Sequence, residues 1–577
     1  MSVETVERLL DQAYLRWPIP HPNSGLSTWY CLTASEDMQR NFFVGMAAPL
    51  PSAQLVFYID KYKYSMRYAL QRIARESTDG SWAPVPRKVL PKHYIAASKL
   101  MVAGVDYSSV AQLCSALHAK TAFAVETSDS WRLTVDFEHH DKSYVALEFF
   151  GIGKNEETDP ATRLFTWISA PALAPDVVRR IAGSVHSERE LLFYTFRGVL
   201  AKELARYYPR APRIIPESWR FPWGSQADTS ELLAALGLRC LYHVVAIHFG
   251  AAAEGVRGGG PSNLLLVISH DELVANLERL SGVSKNTARD FVSRLTLGNR
   301  TQSPDPALQP IVPLGAKMLA IPCIHFLSSH AERNVLSLMA RTETVQFNSQ
   351  SSLFEKGMVG RLAATASVPA NCAMLVNRTF RGGGTEEEID VLLIDEGSHH
   401  ILVCELRWIL PPGDPKEVRN RKSECLKKVR QVRRKVDWIA NNSDAIAQRA
   451  LGPGPVAAGS CLWTVSGVVL IEGYGGTRSP DARFPIMPIG LFTRGLNIAA
   501  SLASVTQWIS GMSWLPIEQQ HFGSSDVEVD IGTEKPLIVE GLSSIVPLDV
   551  YLADALKSLH KRSESFGGAV EKIGVPE

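Results

Sequence analysis

Alternation of apolar and polar positions predicts helices and short strands in the first part of the chain. Residues 3–16 carry apolar side chains at the helical spacing of three and four, and the apolar run at residues 53–60 predicts a strand. Two further apolar segments, residues 131–138 and 143–150, flank a polar turn and predict a β-hairpin. We therefore expect residues 1–155 to form an α+β module, whose role the pattern does not indicate.

Helical spacing dominates the middle region, residues 156–350. Ser187 followed by Glu190 matches a capping box, which predicts a helix over residues 187–206. Residues 232–247 form a second, longer apolar run with helical spacing. We expect this region to be mainly helical.

Residues 271–295 predict two helices that meet at Gly282. The second helix carries Lys285 and Arg289 near its start, which is typical of a helix-turn-helix, whose second helix can enter the major groove of DNA. Helix pairs joined through a glycine are also common in helical domains that do not bind DNA. The pattern therefore leaves both a DNA-binding pair and a purely structural pair open.

The C-terminal half alternates between strand and helix patterns. Strands are predicted at residues 372–380, 389–394, 401–406 and 467–474. Helices are predicted around Glu355, over residues 496–509, and as one long helix that includes residues 426–439. We expect residues 351–515 to form one α/β domain. Residues 516–577 form a C-terminal extension with strand-like pieces and one helix near residues 549–563.

Two acidic residues interrupt the apolar strands of the hairpin predicted at residues 389–406. Asp390 lies near the start of the first strand and Glu405 near the end of the second, so the two side chains should lie close together in an antiparallel pair. A carboxylate in a buried strand is costly unless a cation pairs with it. Two hard oxygen ligands suit Mg²⁺ or Mn²⁺, which can activate water and stabilise charge on a phosphodiester.

The order of these elements resembles the restriction-endonuclease-like superfamily, written PD-(D/E)XK. The resemblance rests on Glu355 in a helix, Asp390 in a strand, and Glu405 and Arg407 in the next strand, followed by a basic helix. It implies a mixed sheet flanked by helices, with Asp390 and Glu405 as metal ligands and Glu355 as an assisting helix acid. The short motif is degenerate, so the succession of elements carries most of the resemblance.

Arg407 stands where the family motif has a lysine that orients or activates water. Arginine stays protonated and does not act as a base, although it can hold a phosphate. The resemblance admits a lysine from the following helix instead, where Lys427 and Lys428 are available. A domain that keeps the fold but has lost catalysis is equally compatible with the arginine.

The helix after the hairpin has one apolar face and one basic face. Leu426, Val429, Val432, Val436 and Ile439 recur at spacings of three and four. A helix of this kind beside a metal site could neutralise the phosphates of a duplex without reading its sequence. The residues expected to contact nucleic acid are Lys422, Lys427, Lys428, Arg430 and Arg434.

Composition limits the class of protein but not its partners. A length of 577 residues with 45% hydrophobic and 21% charged residues predicts a folded protein of several domains. The formal net charge is only +1, so any basic surface must be local. The eight cysteines form no C-x-x-C pair and predict reduced core thiols without a zinc site. The N-terminus lacks a signal-peptide pattern and we expect no apolar run to span a bilayer, which predicts a cytoplasmic protein without a membrane partner.

The sequence thus predicts an Mg²⁺- or Mn²⁺-dependent nuclease that acts on nucleic acid, with DNA as the expected substrate. Bacterial restriction or phage defence is the expected setting, with proteins of a defence system as partners. A catalytically silent nucleic-acid-binding or scaffold subunit is the alternative. A transcription regulator built around residues 271–295 is a third interpretation.

Overall fold

Long helices and several small sheets make up the chain in the computed structural model. The structure describes residues 3–44, 52–80, 83, 86, 88–118, 122–135, 139–150, 160–169, 175–189, 191–208, 214–255, 260–369, 371–382, 384–410, 415–451, 462–473, 476–529 and 535–564. The α/β class predicted from the sequence is confirmed in these ranges.

The secondary-structure elements are numbered in chain order. The helices are α1 (Val3–Leu15), α2 (Ser24–Val44), α3 (Ser52–Glu76), α4 (Pro91–His118), α5 (His139–Phe149), α6 (Pro160–Ser169), α7 (Pro175–Ala182), α8 (Gly198–Leu204), α9 (Gln226–Ala253), α10 (His270–Ser281), α11 (Lys285–Leu295), α12 (Cys323–Leu327), α13 (Ala331–Thr342), α14 (Thr344–Gln350), α15 (Ser352–Thr365), α16 (Pro415–Ala440), α17 (Ser443–Leu451), α18 (Ile489–Ile498), α19 (Leu502–Ser510) and α20 (Leu548–Glu564). The strands are β1 (Ala122–Glu126), β2 (Trp131–Val135), β3 (His186–Glu188), β4 (Leu191–Phe193), β5 (Arg220–Phe221), β6 (Gly224–Ser225), β7 (Leu266–Ser269), β8 (Val312–Gly315), β9 (Met318–Ile321), β10 (Cys372–Gly382), β11 (Thr385–Asp395), β12 (His400–Trp408), β13 (Thr464–Glu472), β14 (Ile486–Pro488), β15 (Phe522–Val529) and β16 (Leu537–Ser544).

The N-terminal region consists of four long helices, α1 to α4, that pack on one another. The strand predicted at residues 53–60 is wrong, because these residues belong to α3. A short apolar run does not distinguish a strand from a helix. The helical period becomes clear further along α3, where Met66, Ala69 and Ile73 are buried at spacings of three and four.

The first strands of the chain share a sheet with the last ones. In the order β1-β2-β16-β15, β2 pairs in parallel with β16, so that Trp131 lies opposite Leu537. The strand predicted at residues 143–150 is wrong, because these residues lie mostly in α5. Tyr144 and Leu147 are buried three residues apart, which fits one face of a helix.

The middle region packs around α9, a helix of 28 residues whose capping box is formed by Ser225 and Asp228. The helix predicted over residues 187–206 is wrong in its first half, which forms the hairpin of β3 and β4. Arg189 has a φ of +53°, a left-handed value that ends the strand in a turn and excludes a regular helix there.

Helix α9 also corrects the expectation that no apolar run could span a bilayer. By length and composition it passes that test, and 67% of its most apolar window is buried inside the protein. Burial of this extent is typical of the core helix of a globular domain.

A five-stranded mixed sheet forms the centre of the C-terminal half, in the order β10-β11-β12-β13-β14. Strands β10, β11 and β12 are antiparallel neighbours, whereas β12, β13 and β14 run parallel. Helices α16 and α17 cover one face, and α15, α18, α19 and α20 cover the other. The single helix predicted over residues 496–509 is two helices, because the chain breaks before Ser501, whose hydroxyl caps α19.

A buried carboxylate connects the N-terminal helices to the middle region. Glu36 of α2 is 0% exposed, and its two oxygens accept hydrogen bonds from the backbone N–H groups of Ile324 and His325 at 2.8 and 2.9 Å. These are the orphan donors at the start of α12. Burial raises the pKa of Glu36 to about 8, and the backbone hydrogen bonds oppose that rise.

We expect Leu537→Ala to destabilise the N-terminal helices although it lies at the other end of the chain. Leu537 is fully buried among Val6, Leu117 and Leu133. Loss of its side chain should cost about 2–5 kcal/mol, measured as reduced hydrogen-exchange protection in β2 and α4. Val527→Ala is the matched control, because Val527 is 46% exposed. Unchanged protection in the Leu537 variant would contradict the shared core.

Glu36 should make the free energy of unfolding fall as the pH rises. Its folded pKa of about 8 lies above the ordinary value of 4.5, so the folded chain binds the extra proton between these limits. Its stabilising contribution is therefore complete below about pH 4.5 and is lost progressively as the pH rises through the folded pKa of about 8, by up to about 1.4 kcal/mol per pH unit. The free energy of unfolding, measured by denaturant titration at several pH values from 5 to 8, should fall less steeply with pH in Glu36→Gln than in the wild type. An equal dependence on pH in the two proteins would refute this role.

Candidate active site

The hairpin of β11 and β12 brings Asp390 and Glu405 together. Val391 lies opposite Cys404, so the two acids occupy the next positions of the same antiparallel register. They lie at the end of the paired region that is remote from the hairpin turn. The backbone N–H of Leu406 donates a hydrogen bond of 2.8 Å to Oδ2 of Asp390, which fixes that carboxylate against β12.

Two lysines from α16 reach these carboxylates. Nζ of Lys428 lies 3.4 Å from Oε2 of Glu405 and 3.9 Å from Oδ2 of Asp390, so one ammonium group bridges both acids. Nζ of Lys435 donates to the other oxygen of Glu405. The two lysines are seven residues apart, which places them two turns apart on the same helix face.

Glu405 is the more buried of the two acids, with 1% of its side chain exposed against 26% for Asp390. Burial raises the pKa of Glu405, and the nearby charge of Asp390 raises it further, whereas Lys435 and Lys428 oppose both effects. The site therefore concentrates negative charge where water is excluded and supplies positive charge from α16.

Arg407 belongs to a second cluster at the end of β12. Its guanidinium donates to Glu355 of α15 at 2.7 Å and to Glu424 of α16 at 3.0 Å. Lys427 also binds Glu424. The structure thus places Glu355 against Arg407, and Lys427 outside the pair of acids that Lys428 bridges.

An aromatic stack fixes the start of α15 over the end of β12. The rings of Phe354 and Trp408 are 3.8 Å apart and nearly parallel, with an interplanar angle of 9°. Each residue is the chain neighbour of one partner of the Glu355–Arg407 ion pair. The stack therefore holds that pair in place.

Helix α16 separates its charges between two faces. Val429, Val432, Val436 and Ile439 are buried against the sheet, as the apolar pattern predicted. Of the residues expected to contact nucleic acid, Lys428 faces the acids, whereas the exposed ones are Lys422, Lys427, Arg430 and Arg434. Arg434 is 63% exposed and pairs with Glu387 at 2.8 Å.

Sequence reasoning missed Lys435 as a site residue, because the charged positions of an amphipathic helix are expected to face solvent. The structure buries it to 7% exposure beside Glu405. The seven-residue spacing from Lys428 was the only signal for this position. It indicates a site residue only once α16 is known to pack on β12, because both lysines then face the same strand.

A divalent cation would find two carboxylate ligands here. In the described part of the chain no three histidine, cysteine, aspartate or glutamate side chains converge to form a metal-binding group. Asp390 and Glu405 suit Mg²⁺ or Mn²⁺ when water or substrate oxygens complete the coordination, as is common for Mg²⁺. The ammonium group that bridges the same two carboxylates shows that this position accepts positive charge, so the residues fit the ion.

Removal of Lys435 alone should destabilise the domain strongly. Lys435→Met leaves a buried carboxylate with one partner fewer, and breaking a buried ion pair costs about 3–5 kcal/mol. The measurement is the free energy of unfolding in a chemical denaturant.

The double variant Lys435→Met, Glu405→Leu is the matched control. It removes both charges and should recover most of the stability, since replacing a buried ion pair by apolar side chains is often neutral. A single variant as stable as the wild type would contradict the pairing.

Comparison with protein-family models, curated proteins and solved structures found no significant match to this chain.

Proposed function

We propose that this chain is a metal-dependent nuclease that hydrolyses phosphodiester bonds in DNA. The proposal is carried by one observation: the carboxylates of Asp390 and Glu405 meet at one end of a hairpin and share an ammonium group from the following helix. The sheet, with its antiparallel hairpin, parallel neighbour and helices on both faces, supports the resemblance to the restriction-endonuclease-like superfamily.

Asp390 and Glu405 would hold the cation, and a bound Mg²⁺ or Mn²⁺ would supply charge neutralisation and an activated water at that position. Lys435 keeps one oxygen of Glu405 paired from the buried side. Lys428 is the lysine best placed for the role that the family motif gives to the position of Arg407. Its ammonium group can hold a phosphate oxygen or a water once it no longer bridges the acids.

Arg407 is a phosphate-binding candidate and not a base, because a guanidinium stays protonated. Its two ion pairs, to Glu355 and Glu424, hold the guanidinium plane in one orientation. Glu355 therefore acts on the site through Arg407 in this arrangement.

The outward face of α16 would position the substrate. Lys422 and Arg430 are exposed on the helix whose inner face carries Lys428. Contacts from such residues to phosphates give affinity without sequence information. Restriction or phage defence in a bacterial cell, with partner proteins of such a system, is the setting we propose for this activity.

A catalytically silent nucleic-acid-binding subunit is the second candidate. It is favoured by the lysines themselves, because Lys428 bridges both acids and Lys435 pairs with Glu405, so that two ammonium groups already offset the charge of the carboxylates. Arg407 in place of the motif lysine points the same way. The two candidates differ in metal dependence, since a silent subunit should bind nucleic acid equally well with Mg²⁺ and with EDTA.

For the nuclease, we expect cleavage of DNA with Mg²⁺ or Mn²⁺ and none with EDTA. Asp390→Asn and Glu405→Gln should each lower the cleavage rate at least about a hundredfold, because each removes one of two charged ligands. The assay compares linear, supercoiled and single-stranded DNA with RNA. Glu386→Gln is the control, because Glu386 pairs with Arg381 on the exposed end of the sheet. No cleavage under any metal condition, together with metal-independent binding, would favour the silent subunit.

Loss of the exposed cations of α16 should weaken DNA binding at all sequences. The double variant Lys422→Ala, Arg430→Ala removes two phosphate-binding side chains, so the plot of log affinity against log salt should become shallower by about 2. Fluorescence anisotropy with EDTA present measures this without cleavage. A slope equal to that of the wild type would show that α16 does not contact the DNA backbone.

A further inference from the structure

The middle region carries a second exposed basic surface, on the helix pair α10 and α11. Helix α9 is followed by β7, by the helix pair α10 and α11, and by the hairpin of β8 and β9. The three strands form one antiparallel sheet in the order β7-β9-β8, with Ser269 opposite Met318. Because β7 leads directly into α10, this sheet fixes the position at which α10 begins.

The turn between α10 and α11 has the residues and caps that are typical of a helix-turn-helix. Gly282 has a φ of +74° and ends α10, a conformation that glycine adopts without strain. Ser284 then caps α11 by accepting a hydrogen bond from the backbone N–H of Thr287. The inner faces are apolar and buried: Leu273, Val274 and Leu277 on α10, and Ala288, Phe291, Val292 and Leu295 on α11.

The outer face of α11 carries its polar groups in its first half. Lys285, Asn286 and Arg289 are all exposed, and Nη1 of Arg289 donates to Oδ1 of Asn286 at 3.1 Å. On α10 the exposed acids Asp271 and Glu272 lie at the start and the exposed Arg279 near the end, whereas Asp290 of α11 pairs with Arg294 and leaves Lys285 and Arg289 as the exposed charges of α11's first half. Core packing therefore accounts for the apolar residues on the buried face of α11, but not for the basic and amide side chains on its exposed face.

We propose that α11 is a recognition helix that enters the major groove of duplex DNA. The major groove admits one α-helix, and residues near the start of that helix reach the base edges. Lys285 and Arg289 contact phosphates or guanine, and the side-chain amide of Asn286 contacts base edges. This site lies outside the proposed nuclease centre and does not depend on it. The chain would then choose its DNA sequence with α11 and hold the DNA backbone with α16.

The test measures DNA binding by the full chain in EDTA, so that absence of cleavage cannot affect it. Duplexes with a randomised centre are selected over several rounds, and the selected duplex is compared with the starting pool by fluorescence anisotropy. The wild type should enrich a defined sequence. The double variant Lys285→Ala, Arg289→Ala should bind the enriched duplex roughly tenfold more weakly or worse. Its plot of log affinity against log salt should also become shallower, by about one for each phosphate that the variant no longer neutralises.

Asn286→Ala provides a second readout, because removal of a base-reading side chain should reduce the preference for one base pair while the salt slope stays unchanged. The control is Lys422→Ala, Arg430→Ala on α16, which should weaken selected and random duplexes equally. No enriched sequence, or an enriched sequence that all α11 variants bind like the wild type, overturns the proposal. Equal affinity for an RNA duplex also overturns it, since the deep and narrow major groove of that duplex does not admit a helix.

Discussion

Glu405 places an ionisable carboxylate, 1% exposed, in a strand at the middle of the C-terminal sheet, and the surrounding structure depends on how that charge is stabilised. Strand β12 has neighbours on both sides, so the carboxylate cannot reach water by local fraying. Helix α16 must therefore lie where Lys428 and Lys435 meet it. The hairpin register places Asp390 beside it, and repulsion between the two carboxylates raises the pKa of Glu405 unless nearby positive charge offsets it. The proposed divalent cation would relieve the same unfavourable concentration of negative charge.

The division of α16 into two faces follows from that requirement. Its buried side combines four apolar residues, which hold it on the sheet, with two lysines that enter the site. Its exposed side carries Lys422, Lys427, Arg430, Arg433 and Arg434. A chain with a formal net charge of only +1 can thus present a basic surface at one place. Under the proposed function, one helix would then supply both the phosphate contacts and the lysines beside the metal ligands.

The regions of the chain are tied together by a few long-range interactions. Strand β16 completes the sheet begun by β2, and the stacked rings of Phe150 and Tyr551 join the end of the N-terminal region to α20. Glu36 caps α12 from within α2. In the described parts of the chain, these interactions join elements that are far apart in the sequence.

The sequence by itself determined the hairpin with its two acids, the helix before it, the amphipathic α16 and the helix pair at residues 271–295. Each of these follows from local periodicity, turn chemistry and a charge in an apolar strand. The sequence pattern gave the wrong element at residues 53–60, at residues 143–150 and in the first half of residues 187–206. There a short apolar run or a capping signature was compatible with two structures, and the packing partners decided between them. Only the tertiary structure decided that Glu355 pairs with Arg407, that Lys428 bridges the two acids and that Lys435 is buried beside Glu405. The sequence predicts that a lysine in a helix lies at the surface. The partner of its long side chain is decided by which carboxylate the fold brings within reach, and only the tertiary structure shows that.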